Sequence, residues 1–177
     1  MADEVRMLHS VVSLDYERPP TLAAREFADA IIQRQIVGHK CPQCERIYTP
    51  PRGYCPICVI PTGKEHLVEI SDHGTLVTYT ALNPDALHTQ GGEATLRASV
   101  RLDGTKLTQQ GDALNITADQ IHVGMKMRAV WLDLSKEDAA AAAGWGWGVP
   151  GIAGWEPTGE PDASPEEIQA LLEEGGD

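Results

Sequence analysis

The sequence predicts a mainly β protein: an N-terminal helix, a four-cysteine ribbon, a small β-barrel, then an irregular Trp/Gly-rich C-terminal arm with a short helix. Three observations predict it. The only four cysteines form two Cys-x-x-Cys hooks, Cys41-Pro42-Gln43-Cys44 and Cys55-Pro56-Ile57-Cys58. After them, turn signals alternate with short runs of period two as far as about residue 134, with no long helical pattern between. Beyond that point glycine, proline and tryptophan cluster and forbid regular structure.

Residues 1–38 form the first unit, an N-terminal segment and an amphipathic helix. Residues 1–20 are mixed and end in Pro19-Pro20, an extended entry. From residue 21 to about 36 the pattern turns helical: Thr21 can cap, and Leu22, Ala23, Phe27, Ala30, Ile31 and Ile36 recur at near-helical spacing. Gly38 suits the position just past a helix C-terminus. Such a helix either folds back on the body or docks on a partner chain.

The second unit is the ribbon, 39–63. Each hook presents two thiolates from a tight turn, and a set of four closes the tetrahedral coordination of zinc. The expected ligands are Cys41, Cys44, Cys55 and Cys58, with Zn2+ structural because no coordination position stays open. Pro50-Pro51-Arg52 gives the stiff return arm between the hooks. Two disulfides are the competing reading. The charged opening of the chain and the lack of a membrane-length apolar run argue for a reducing, cytoplasmic setting instead. A ribbon this small buries little, so the metal must hold it; about 10–16 kcal/mol of binding energy is typical of small zinc units.

The third unit, 64–136, reads as a barrel of the OB type. Runs over 64–71 and 75–82 flank Asp72-His73-Gly74, a hairpin signal. Leu96, Ala98, Val100 and Leu102 alternate with Arg97, Ser99, Arg101 and Asp103, a half-buried strand before the turn at Gly104. Val123-Gly124 leads into a last strand on which Met125, Met127, Ala129 and Trp131 share a face.

The fourth unit, 137–177, is read as a partner-binding extension. An alanine run over 139–143 is broken by glycines and by Trp145, Trp147 and Pro150, and Trp155 follows. Tryptophans in such a stretch either tuck onto the barrel or lie along another subunit. Ser164-Pro165-Glu166-Glu167 is a capping box that starts a short helix ending at Gly175.

Charge and motif content exclude function classes. The formal net charge is −12, and residues 156–177 hold eight acids and no base. A nucleic-acid-binding ribbon-OB module, the alternative function, needs a basic footprint that this composition does not offer. With every cysteine assigned to metal no thiol nucleophile remains, and no Gly-x-Ser-x-Gly, His-Glu-x-x-His or phosphate-binding glycine loop occurs. The six histidines, His9, His39, His66, His73, His88 and His122, are scattered; His39 is close enough to Cys41 to replace a ligand. The loop Gln90-Gly91-Gly92 is a mobile lip or a plain connection. No catalytic residue is expected in this chain.

The order of these parts resembles the domain of unknown function 35 family, over residues 27–134. The resemblance rests on the helix, both hooks, Pro50-Pro51-Arg52 before Cys55-Pro56, Ser71-Asp72-His73-Gly74 into Val77-Thr78-Tyr79-Thr80, Val100-Arg101-Leu102-Asp103-Gly104, and Val123-Gly124. It implies a rubredoxin-like zinc ribbon plus OB-fold, and an accessory subunit of a thiolase-like (lipid-transfer-protein-like) catalytic partner. That partner's chemistry would be steroid side-chain aldol cleavage, thiolysis or acyl transfer on an acyl-CoA, within a heterotetramer. Arg97, Arg101, Lys106, Lys126 and Arg128 are then candidates to meet the phosphates of the CoA thioester. Glu45 and Val59 depart from the family's pattern, which often has glycine after each hook, and the Trp-Gly arm lies outside the common core.

Overall fold

A computed structural model of the chain describes Ser13 and residues 21–82, 95–135 and 151–173. The readings of Pro19-Pro20, His9, His88, the Gly91-Gly92 loop, the alanine run, Trp145, Trp147 and Gly175 lie outside the described residues.

Helix α1 (Leu22–Ile32) starts where Thr21 accepts the Ala24 N–H on its side-chain oxygen at 3.2 Å. It buries Ala23, Phe27, Ala28, Ala30 and Ile31 against the chain's own core, so it folds back on the body. It is shorter than the sequence suggests. The reversal falls at Arg34, whose φ is 57°, and Ile36 opens strand β1 (Ile36–Lys40). Gly38 therefore does not stop the helix. A Cβ there would stand 2.8 Å from both Ile47 Cγ2 and the Tyr48 carbonyl oxygen, so glycine serves the close approach of β2 (Ile47–Tyr48).

Strand β1 is the centre of a three-stranded sheet, with β2 on one side and β3 (Leu67–Ile70) on the other. The expected hairpin around Asp72 is not formed. Strand β3 pairs with β1 in the ribbon sheet, whereas β4 (His73–Leu82) pairs in the barrel, so Ser71-Asp72 is the passage between the two sheets. Gly74 lies inside β4 because a Cβ would come 2.2 Å from the Arg101 carbonyl oxygen, not because a turn needs it.

The barrel closes as β4, β5 (Thr95–Leu102), β6 (Thr108–Ala113), β8 (Ile152–Pro157) and β7 (Lys126–Trp131). A small barrel of the OB type was expected, and a five-stranded closed barrel stands. One of its strands lies outside 64–136, the segment read as the barrel. Strand β8 comes from the segment read as a partner-binding extension and inserts between β6, in parallel, and β7, antiparallel. Trp155 on β8 is 1% exposed. It packs in one continuous cluster with Phe27, Ile36 and Ile70 of the ribbon side and Leu76, Val100, Leu102 and Met127 of the barrel, so both modules share a core. Helix α2 (Pro165–Glu173) follows its predicted capping box: Glu167 N–H donates to Ser164 Oγ, and Ser164 N–H to Glu167 Oε2. No helix among the described residues is long and apolar enough to cross a membrane.

Candidate metal centre

The cysteines sit on two equivalent knuckles. In the first, Cys41 Sγ accepts N–H bonds from Gln43 (3.4 Å) and Cys44 (3.5 Å), and Glu45 N–H closes the turn on the Cys41 carbonyl at 2.9 Å. In the second, Cys58 N–H reaches Cys55 Sγ at 3.4 Å, and Val59 N–H closes on the Cys55 carbonyl at 2.9 Å. Each turn needs a left-handed residue at its end. Glu45 and Val59 supply it with φ of 58° and 54°, so the departures from glycine keep the knuckle geometry at the cost of strain.

All four sulfurs lie within 4.8 Å of one another, and all four cysteines are free thiols, which sets the disulfide reading aside. Cys44 Sγ and Cys55 Sγ are 3.7 Å apart. A tetrahedral ion with metal–sulfur bonds of about 2.3 Å requires an edge of about 3.8 Å, which the Cys44–Cys55 separation matches. Cys41 and Cys55 are fully buried, while Cys44 and Cys58 are partly exposed.

Electrostatics argue the same way. At Cys55 burial opposes ionisation, but N–H groups of Cys58 and Ile57 and contacts with Cys41 and Tyr48 outweigh it and lower the thiol to about 6. Burial and the three neighbouring sulfurs push Cys58 up to about 12. One thiolate forms readily and the next is resisted, so full ionisation of the set calls for a cation in the middle. The cluster can hold one metal ion such as zinc.

His39 does not join it. Its Nδ1 is 3.0 Å from Thr62 Oγ1 and its Nε2 is 3.6 Å from Glu26 Oε2 on α1. Burial lowers its pKa against the pull of Glu26, and the ring ties helix to ribbon. His73 is exposed and paired with Asp72 at 2.7 Å.

The five candidate cations are not gathered into one site. Arg97 pairs with Asp112 at 2.7 Å, and Arg128 with Glu156 at 2.7 Å. Lys126 donates to Thr75 Oγ1 at 3.0 Å. Lys106 lies apart from them, on a cleft of about 800 Å3 between ribbon and barrel that Lys40, Arg46, Tyr48, Leu107 and Leu171 also line. Arg101 is only 5% exposed and donates from Nη2 to the Leu171 carbonyl of α2 at 2.8 Å. Its alternation on β5 marked it as outward-facing, but a helix seventy residues later in the chain covers it. Sequence reasoning missed the cleft, because its walls come from segments remote in the chain.

A four-cysteine ribbon fused through a common core to a closed five-stranded barrel defines the class of this protein. No family model matches the chain. It is 26% identical over 104 residues to the DUF35 domain-containing scaffold protein of Methanocaldococcus jannaschii, spanning 58% of this chain and 71% of the relative. Among solved structures it is similar to the Ltp2-ChsH2(DUF35) aldolase, with a TM-score of 0.50 and 22% identity over 75% of this chain and 91% of that one. A DUF35-family protein of unknown function from Sulfolobus solfataricus gives a TM-score of 0.48 and 24% identity over 61% of this chain and 77% of that one. The resemblance to the domain of unknown function 35 family holds in sequence and in fold.

Proposed function

We propose that this chain is a non-catalytic, zinc-binding accessory subunit of a heteromeric acyl-CoA enzyme whose thiolase-like partner carries the chemistry. Zinc at Cys41, Cys44, Cys55 and Cys58 holds the ribbon, and the barrel and ribbon together support assembly and the CoA thioester. The observation that carries this reading is the likeness to a scaffold protein and to a chain of a two-component aldolase over nine-tenths of that chain's length. A surface feature supports it. The second knuckle exposes Tyr54 (51%), Ile57 (56%) and Val59 (81%), apolar side chains of the sort that contact a partner. Of the candidate cations, Lys106 faces a cleft large enough for part of a CoA ester.

Capture of the tagged, zinc-loaded chain from its native cytoplasmic extract, with mass-spectrometric identification of what co-purifies, tests the reading. A thiolase-like protein at stoichiometric yield, in a two-plus-two assembly by light scattering, is the expected result. Recovery of the chain alone, or with nucleic acid, would overturn it.

A further inference from the structure

Arg101 is the one charged residue among the described residues that is at least nine-tenths buried, and its guanidinium is largely unpaired. Of the five donors in an arginine head group, one is met by the Leu171 carbonyl. Nε and Nη1 have no hydrogen-bond acceptor among the described residues. Leaving buried charged donors unmet costs more than a surface charge does, and an anion that reached them would remove that cost. A second cation stands beside it. Thr75 of β4 is the Cα partner of both Arg101 on β5 and Lys126 on β7, so the three share a row on the outer face of the barrel. Lys126 Nζ reaches Thr75 Oγ1 within that row.

What covers the row is weakly held. Helix α2 has nine residues and buries none of them, and a helix of that length is marginal alone. Besides the Leu171 carbonyl, it rests on the barrel side through Ile168 against Gly124, just before β7, where a Cβ would meet Ile168 Cδ1 at 2.8 Å. The group it offers Arg101 is a carbonyl in its last turn, the end that carries roughly half a negative charge. A full oxyanion outcompetes half a charge at the same guanidinium. Leu171 also lines the cleft that Lys40, Arg46 and Lys106 surround, with Glu45 the acid there and already 3.6 Å from Lys40. Lifting the end of α2 would join Arg101 to that basic cleft.

We propose that α2 is a displaceable cover over an oxyanion site anchored on Arg101 and Lys126, and that its ligand is a phosphate-bearing small molecule entering from the ribbon–barrel cleft. Several cations around one opening favour a multiply charged phosphate over a lone carboxylate. The inference deepens the acyl-CoA reading and rests on it for the source of the phosphate.

The test is calorimetric titration of the full, zinc-loaded chain with pyrophosphate at low salt, together with hydrogen exchange over 165–173. Binding should strip amide protection from the helix. Ile168→Asp, which detaches α2 without touching the row, should tighten pyrophosphate binding at least tenfold. Arg101→Gln in that background should abolish the gain, and Lys126→Gln, a safer change for folding, should weaken binding several-fold. No pyrophosphate binding, unchanged affinity in Ile168→Asp, or full helix protection at saturation would each overturn the proposal. Malonate binding as tightly as pyrophosphate would overturn the phosphate assignment. Pyrophosphate binding without CoA binding would support the covered site and sink the acyl-CoA reading, whereas CoA binding indifferent to Ile168→Asp would sink the cover.

Discussion

Trp155→Ala is the sharpest test of how this barrel is built. The side chain is 1% exposed, on a strand whose Cα partners are Ala129 of β7 and Ala113 of β6. Burial of about 150–250 Å2 of tryptophan at roughly 25 cal/mol per Å2 gives an upper figure of about 4–6 kcal/mol. Partial burial in the unfolded chain trims it, and measured truncations of large core aromatics cost about 3–5 kcal/mol. For a chain of this size each kcal/mol lowers Tm by about 2–4 °C, so a fall on the order of 10 °C is expected. Urea unfolding of zinc-replete protein followed by far-UV circular dichroism measures it. Trp155→Phe is the comparator: the indole Nε1 has no hydrogen-bond acceptor among the described residues, so little polar bonding is lost. It should cost less than about 1.5 kcal/mol. An alanine variant within about 1 kcal/mol of wild type would mean that β8 is an arm and not a barrel strand.

Other expectations follow from the same geometry. Cys44→Ser or exhaustive chelation should unfold the ribbon and abolish the charge-transfer absorption of a cobalt-substituted protein; a ribbon still protected in hydrogen exchange would refute a structural metal. Val59→Gly relieves a β-branched residue held at φ 54° and should raise the stability of the metal-loaded chain by about 0.5–1 kcal/mol, since the strain of roughly 1–2 kcal/mol is partly offset by glycine's unfolded-state entropy. Gly74→Ala forces a Cβ against the Arg101 carbonyl and should cost about 1–3 kcal/mol by calorimetry, with no effect pointing to a different β4–β5 register. His122 is raised by its hydrogen bond to Asp162 and by the Gln120 carbonyl. Its folded pKa exceeds the unfolded one, so the stability it adds is fully present below about pH 6.5 and is lost as pH rises through the folded value. An NMR titration should show that value fall toward that of a free imidazole in Asp162→Asn.

The legible parts of this chain are those set by short-range chemistry. Ligand spacing within a knuckle depends on a few adjacent backbone groups, so Cys41 to Cys58 could be read as one site without knowing the fold. The alternation of β5 and the capping box at Ser164 are equally local. Pairing partners are not local. A run such as 67–70 shows strand character but not whether its neighbour is β4 or β1, and the Asp-His-Gly signal looked like a turn because Gly74 serves packing instead. Trp155 looked like part of an arm because the glycines around it hide a strand whose partners, β6 and β7, lie about forty and twenty-five residues earlier. Arg101 was read as solvent-facing from its alternation alone, and the helix that covers it follows β8.

The place of β8 in the barrel also governs how the chain must fold. Strands β4 to β7 can register against one another first, yet β6 and β7 keep open hydrogen-bonding edges until Ile152–Pro157 arrives between them. The joining segment is the last barrel strand in the chain, and one of its two ladders is parallel, the pairing that rewards loop closure latest. During synthesis the nascent barrel therefore carries an unsealed seam until the ribosome has passed residue 157. A ribosome stalled upstream of that point leaves two sticky edges exposed, a state a chaperone or a second nascent chain would bind before the native strand could.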